Sequence, residues 1–575
     1  MKKFLLLVLM LVAGMGSMAL ADSCCNTSCN TSCKTSCNTC DTCCVASPKE
    51  LCSSCDCKYV SHSFYSIRPP YQKGSPEFES FFRDNMHARK DGIGGSLEIV
   101  PFGGRSTKEP RLAAYFGPDC KNVFTVNEDP TIVGTDLLAR NFDITQVGFS
   151  SKISFNPRHS FAGVGFRYKQ GLWESCSGHT LFIDFSMPVV HVRNTLNFCE
   201  EVLNTGTLFV NGVQLTACGA GNIPNRSCGS CDTSCTDLCA TSTYVTSSVN
   251  NMTEAFRQEA WQYGRIGCGS ETKTAVANFD VRLGYETVQN DHCRLESYFG
   301  FSAPTGNKVR SVNLFEPIVG YNHHFGVMFG TDASIELWTS ECEDSHLWME
   351  LSFQGLYLVK NSQKRLVDLK GKPWSRYMRV YANEEQAALA LSTGNECLNT
   401  PGVNIFALDV HVSPGFQRTY NSSFVYTCGG FQGELGYNFF ARCAECIDLK
   451  CPWVEGPALV AYEGLRGCSG AGFIPAIGSA GATDPVQNIN HNFGDRNTNS
   501  VANYAQSIIK CDELDLNSAA HPAMLTHSMF GTVGYRWDSC GCVVPSLGMG
   551  GSYEFSRDNA GLNRWMLWGK MGLSF

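Results

Sequence analysis

The stretch that decides the fold is the last one, NRWMLWGKMGLSF, residues 563–575. Read backwards, Phe575, Leu573, Met571, Gly569, Leu567 and Trp565 occupy every second position. Ser574, Gly572, Lys570, Trp568 and Met566 fall between them. Side chains of a strand alternate between two faces, so this is a strand with one apolar face that runs to the last residue. Chain ends ordinarily fray. A strand that stops on Phe575 needs a partner strand to satisfy its backbone, and a closed barrel supplies one.

The same alternation recurs upstream. In TAVANFDVRLGYET, Ala277, Phe279, Val281, Leu283 and Tyr285 oppose Asn278, Asp280, Arg282 and Glu286. In HLWMELSFQGLYLV, Leu347, Met349, Leu351 and Phe353 oppose Glu350, Ser352 and Gln354. GFQGELGYNFF sets Phe431, Leu435, Tyr437 and Phe439 against Gln432, Glu434 and Asn438. TLFIDFSMPVVHV and SMFGTVGYRW repeat it, with Asp184 and Arg536 on their polar sides. The runs are about ten residues long, the length of a tilted strand crossing a bilayer. A soluble sandwich also alternates, but its strands are usually shorter, about five or six residues. The fold class expected is all-β: a transmembrane antiparallel barrel of about 14 strands, within roughly 12–18. Strands are placed near 94–103, 110–117, 144–156, 160–171, 180–192, 275–288, 293–303, 322–339, 346–360, 405–414, 424–442, 526–538, 544–557 and 564–575. With the last strand descending to the periplasm, the long connections 193–274, 361–404 and 443–525 all fall outside, as in known barrels.

The amino terminus, MKKFLLLVLMLVAGMGSMALA, reads as a signal peptide of residues 1–21: two lysines, an apolar run and Ala19-Leu20-Ala21. A Cys-rich low-complexity tail (22–70), a short helical or plug-like linker (71–93) and the barrel (94–575) follow. Charged residues are only 17% of the chain, aromatics 11%, and the net charge is −8. No basic face points to nucleic acid. Within the linker, Ser75-Pro76-Glu77 is a helix-start signal, and Phe78, Phe81 and Phe82 give that helix an apolar side. It reads either as a plug at the barrel mouth or as a helix packed on the periplasmic rim.

The terminal pattern resembles the C-terminal signal by which bacterial outer-membrane β-barrel proteins are recognised for assembly, carried here by Leu567, Met571, Leu573 and Phe575. Gly569 departs from it, and Leu573 stands where an aromatic is commoner. The resemblance implies outer-membrane lipid and the barrel-assembly machinery as partners. GELGYNFFARCAE (433–445) and SLGMGGSYEFS (546–556) resemble uncharacterised Cys-rich porin-like barrels of intracellular bacteria.

The chain has 31 cysteines. Eleven lie between Cys24 and Cys57; others cluster at 228–239 and 443–511. Disulfide candidates are Cys52, Cys55, Cys228, Cys231, Cys235, Cys239, Cys443 and Cys446, since exported C-x-x-C pairs oxidise. Cys52-x-x-Cys55 and Cys228-x-x-Cys231 could open a zinc site only if four ligands converged, so no metal and no cofactor is assigned. An odd total leaves at least one thiol free or paired between chains; disulfide-linked neighbours or a homo-oligomer are the partners this would allow. The cysteine usage is similar to that of the major outer-membrane porin of chlamydiae.

The residues expected to line a hydrated lumen are Asp184, Asn278, Asp280, Arg282, Glu286, Glu350, Asp409, His411, Glu434, Asn438, Arg536 and Lys570. Both signs of charge suit an aqueous passage. No catalytic constellation is found: His323 and His324 point to opposite faces of a strand, and Asp409 and His411 have no nucleophile beside them. The expected function is a porin-like channel for small hydrophilic solutes, not an enzyme. The alternative is a structural or adhesive surface barrel cross-linked by its cysteines.

Overall fold

A computed structural model describes residues 61–575 apart from 89–92, 119–120, 130–131, 133, 145, 176–177, 211–212, 216–248, 268, 291, 394–398, 460–507, 538–542 and 557. The expected signal peptide (1–21), most of the expected Cys-rich tail and the cysteines at 52, 55, 228, 231, 235 and 239 lie outside these residues.

Twelve strands form a closed up-and-down barrel. They are β1 (Gly95–Thr107), β2 (Arg158–Glu174), β3 (Thr180–Thr195), β4 (Phe279–Asn290), β5 (Cys293–Ala303) and β6 (Gly326–Thr339), then β7 (Ser345–Leu358), β8 (Phe416–Cys428), β9 (Phe431–Arg442), β10 (Met524–Arg536), β11 (Val544–Ser556) and β12 (Asn563–Ser574). Each pairs antiparallel with its sequence neighbour within the barrel, and β12 closes on β1 with Ser96 opposite Ser574. Phe575 and Gly95 exchange backbone hydrogen bonds of 3.0 and 2.8 Å. The terminal residue is thus tied into the seam, which answers the backbone requirement that its position raises. A further strand, Ser270–Val276, pairs with the end of β3 that β4 leaves free. The register changes by one residue between Val276↔Val189 and Asp280↔Ser186. Pro188, which has no N–H to give, sits at this step.

The strand count differs from 14 for identifiable reasons. Residues Glu109–Phe116 form a helix, since Pro110 stands in its first turn and Leu112, Ala113, Tyr115 and Phe116 make one buried side. Residues 144–156 and 405–414 hold strands of small sheets outside the barrel. The run 424–442 overlaps two strands joined by the tight turn at Gly429-Gly430. Three fewer and one more give 12, an even number, so the expected sidedness is unchanged.

Short turns connect the strands at the end that holds Gly95 and Phe575. The long connections, 108–157, 196–278, 359–415 and 443–523, gather at the other end with 304–325 and 557–562. Those long segments pack into a cap with an aromatic core that includes Phe124, Phe142, Phe256, Trp261, Trp374 and Tyr377. The Trp374 indole stands 5.4 Å from the Phe124 ring and donates to the Phe116 carbonyl at 2.7 Å.

The barrel's outer face is apolar. Leu283, Leu435, Met529, Met549 and Leu567 are exposed around its middle. Trp173, Trp338, Phe431, Tyr535 and Trp537 ring the short-turn end; Phe301, Tyr357, Tyr553, Phe555 and Trp565 ring the other. Such a belt between two aromatic girdles is the surface of an outer-membrane barrel. No helix among the described residues is long and apolar enough to cross a membrane; the crossing elements are strands.

Candidate functional site: the occupied lumen

A twelve-stranded barrel is too wide to be filled by its own inward side chains and narrower than the open porins. The chain fills it with its own amino-terminal segment. Residues 61–88 run through the lumen from the cap to the short-turn end, and almost every residue from Phe64 to Met86 is buried.

Strand β9 measures the descent. Arg442, at its cap end, donates to the Ser66 hydroxyl at 2.6 Å. Four residues down, Asn438 accepts from Arg68 at 2.8 Å and donates to the Gly74 carbonyl at 3.0 Å. Glu434 pairs with Arg83 at 2.8 Å and accepts from the Phe81 N–H. Gln432, near the turn, accepts from the Phe82 N–H at 3.0 Å. From Arg442 to Gln432 is roughly 33 Å of strand, which at the usual tilt spans the apolar band.

The other walls hold the segment as firmly. Lys73 bridges Asp332 (2.5 Å) and Glu79 (3.0 Å). Lys570 donates to the carbonyls of Phe78 and Ser80, and Trp568 to the Ser80 hydroxyl. His87 meets Glu286 at 2.7 Å. The Phe78 ring lies under the guanidinium groups of Arg167 (4.6 Å) and Arg282 (4.9 Å). Asp184 binds both of these arginines, at 2.9 and 3.0 Å. Its charge lets two like charges share one aromatic ring.

Wall glycines seat the segment's aromatic rings. A Cβ on Gly165 would come within 2.4 Å of the Tyr71 ring; one on Gly548 would come within 2.4 Å of Phe81. Tyr71, Phe81 and Phe82 have left-handed backbone (φ 54°, 64° and 38°). That conformation costs bulky residues about 1–3 kcal/mol each and persists only where surroundings enforce it. Beside the segment lie cavities of about 20 Å³ at Arg68 and Tyr321 and about 10 Å³ at Pro76 and Glu554. The larger has room for about one water.

Of the twelve expected lining residues, Asp184, Asn278, Asp280, Arg282, Glu286, Glu350, Glu434, Asn438 and Lys570 are buried. Six of them contact the segment, Asp184 holds the two arginines over Phe78, Asp280 pairs with Arg282, and Asn278 accepts from the Tyr321 N–H. Arg536 lies at the short-turn end and pairs with Asp84 at 2.9 Å. Asp409 and His411 do not line the barrel. They sit on a cap strand, Ala407–Ser413, whose alternate residues Val410 and Val412 face the cap core. Period-two alternation describes that strand as well as a membrane one, so the pattern could not tell them apart. The segment's own charges, Arg68, Lys73, Glu79 and Arg83, were not among the expected site residues. The mixed charges around the helix-start signal were the only trace of them.

Leu567, Met571, Leu573 and Phe575 face outward from β12. Cys443 and Cys446 are half-buried where β9 leaves the barrel; Cys342, Cys428 and Cys451 are exposed.

At the cap, burial and, next to it, the Arg376 charge push the His62 pKa down to about 4. Burial likewise lowers His521, helped by Arg442. Burial pushes Asp515 up to about 6, with Asp368 adding to it.

No family model matches the sequence, and no curated protein does. Among solved structures, the chain is similar to an outer membrane channel from Pseudomonas putida F1 (10% identity, TM-score 0.36, covering 84% of this chain and 96% of that one). It is also similar to the transport unit of the autotransporter AIDA-I from Escherichia coli (5%, TM-score 0.29, 84% and 91%). A third is OccK11 (OpdR) from Pseudomonas aeruginosa (8%, TM-score 0.17, 84% and 95%). None of these overlaps is close enough to transfer a function.

Proposed function

We propose that this outer-membrane barrel is closed at rest and serves as a scaffold that holds the cap at the cell surface. The observation that carries the reading is the lumen occupied from end to end by residues 61–88, with buried ion pairs on several walls. Thiols at both ends, Cys342 and Cys428 on the short turns and Cys451 in the cap, are available for cross-links to neighbours. Recognition of the β12 face by the assembly machinery, and kinship with Cys-rich porin-like barrels of intracellular bacteria, belong to the same proposal.

A gated form of the diffusion reading has one observation in its favour. The segment is held largely by hydrogen bonds and ion pairs that water could replace, and the wall behind it carries both charges. A displaced segment would leave a polar passage for small hydrophilic solutes.

Planar-bilayer recording tests the proposal. The full-length protein is expected to show no steady conductance. Removing residues 61–88, or filling the ring seats with Gly165→Val and Gly548→Val, is expected to produce stable open channels. The glycine variants keep the chain length, so they answer the objection that a deletion misfolds. Steady conductance from the unaltered protein would sink the closed reading and leave the diffusion channel in its place.

A further inference from the structure

We infer that the protein threads its own barrel from outside inwards, so that the segment preceding residue 61, with its eleven cysteines, is presented outside the cell. An exported chain whose barrel starts at Gly95 would ordinarily leave what precedes it in the periplasm. The contacts reverse this. Ser61 donates to Asp368 at 2.8 Å, the Ser63 N–H donates to the Ser518 carbonyl at 2.8 Å, and Tyr115 donates to the Phe64 carbonyl at 2.7 Å. All three partners belong to the cap. Gly94 and Gly95, at the other end, lie beside Phe575.

A chain that enters at the cap could reach the periplasm only by a second passage. Almost every residue from Phe64 to Met86 is buried against the wall, which leaves no width for another strand. The lipid belt excludes a backbone that pairs with nothing. Residues before 61 therefore stay on the side of the long connections, which is the exterior in barrels of this kind. The thiols divide into two pools separated by the membrane. The tail shares its face with Cys451; Cys342 and Cys428 lie on the other. Cross-links made through the tail would join surface-exposed chains.

The inference rests on the occupied lumen of the preceding section, and its test is read separately from conductance. An epitope is inserted between Ser47 and Pro48 of the full-length chain. Reference epitopes stand in the turn at Cys342 and after Gly481 in the long connection. Antibody is applied to intact and to permeabilised cells, and heat-modifiable migration confirms that each barrel has folded. The tail epitope is expected to label on intact cells to the extent of the one at 481, with the turn epitope labelling only after permeabilisation. A site-specific protease sequence at the same position should be cut from outside, removing 22–47. Labelling of the tail together with the Cys342 turn, or cleavage only by a periplasmic protease, overturns the inference. A periplasmic tail in a non-conducting protein would sink the threading and leave the closed scaffold standing; an external tail in a conducting one would do the reverse.

Discussion

The lumen and the cap are both interiors, and they are built oppositely. The lumen holds Lys73 between two carboxylates, Arg83 on Glu434, and Asp184 between two arginines. The cap packs Trp374, Phe124, Phe256 and Tyr377 ring against ring. The difference follows from what lies outside each. The cap stands in water, so burial of apolar surface stabilises it in the ordinary way. The barrel wall stands in lipid, which is as apolar as leucine and gives no reward for turning leucine inward. The wall therefore spends its apolar face on lipid and turns its polar face inward, where a second segment of chain satisfies it.

That contrast is open to direct attack in the cap core. Trp374 is fully buried, and its indole donates to Phe116. Trp374→Ala should destabilise the cap by about 3–5 kcal/mol. The barrel, held by closed strand pairing, should keep its heat-modifiable migration. Proteolysis of intact cells would read the loosened cap. Concerted loss of the barrel would mean that the two interiors are one cooperative unit.

A second attack reverses the wall. Leu435 is 72% exposed at mid-barrel, with Glu434 beside it facing inward. Leu435→Arg should cost about 2–4 kcal/mol, the penalty of a cation at the bilayer midplane. Urea unfolding from detergent-free bilayers measures it. A cost near zero would mean that this face does not meet lipid.

Sequence made the wall legible because two environments impose period two on it. NRWMLWGKMGLSF places Trp565, Leu567, Met571 and Leu573 outward and Met566, Trp568 and Lys570 inward, as the alternation reads. The alternation separates outside from inside; of what fills the inside it offered only a plug at the mouth, one of two readings of the helix at Phe78, Phe81 and Phe82. Lining residues such as Glu434 and Asn438 look the same whether they face water or Arg83 and Gly74, since both partners are polar. The threading segment is irregular, with one turn of helix at Pro76–Glu79 and left-handed Phe81 and Phe82, so no periodicity announces it. The cap was hidden for a different reason. Its short strands copy the alternation of the wall, which is why Asp409 and His411 were placed in the lumen, while its core is assembled from six connections far apart in sequence.

The smallest expected effect concerns pH, and it separates the two interiors without altering packing much. His62 stacks on Tyr115 at 4.6 Å where the thread enters the cap. Burial, and then Arg376, hold its pKa at about 4, below the 6.5 of an unfolded chain. A depressed pKa contributes stability that is fully present above about 6.5 and is lost as pH falls through about 4. At pH 5 the loss should reach about 2 kcal/mol. His521 acts in the same direction. Asp515 opposes them: its pKa is raised to about 6 from 3.8, so its protonation strengthens the cap over the same window. The net slope of the unaltered protein therefore mixes signs, and the informative quantity is a difference. His62→Phe keeps a ring against Tyr115 and cannot take up a proton. Between pH 7 and pH 5 the unaltered cap should lose about 2 kcal/mol relative to this variant in protease protection, while bilayer conductance of both stays absent. Parallel pH profiles would show that the folded cap does not lower the His62 pKa.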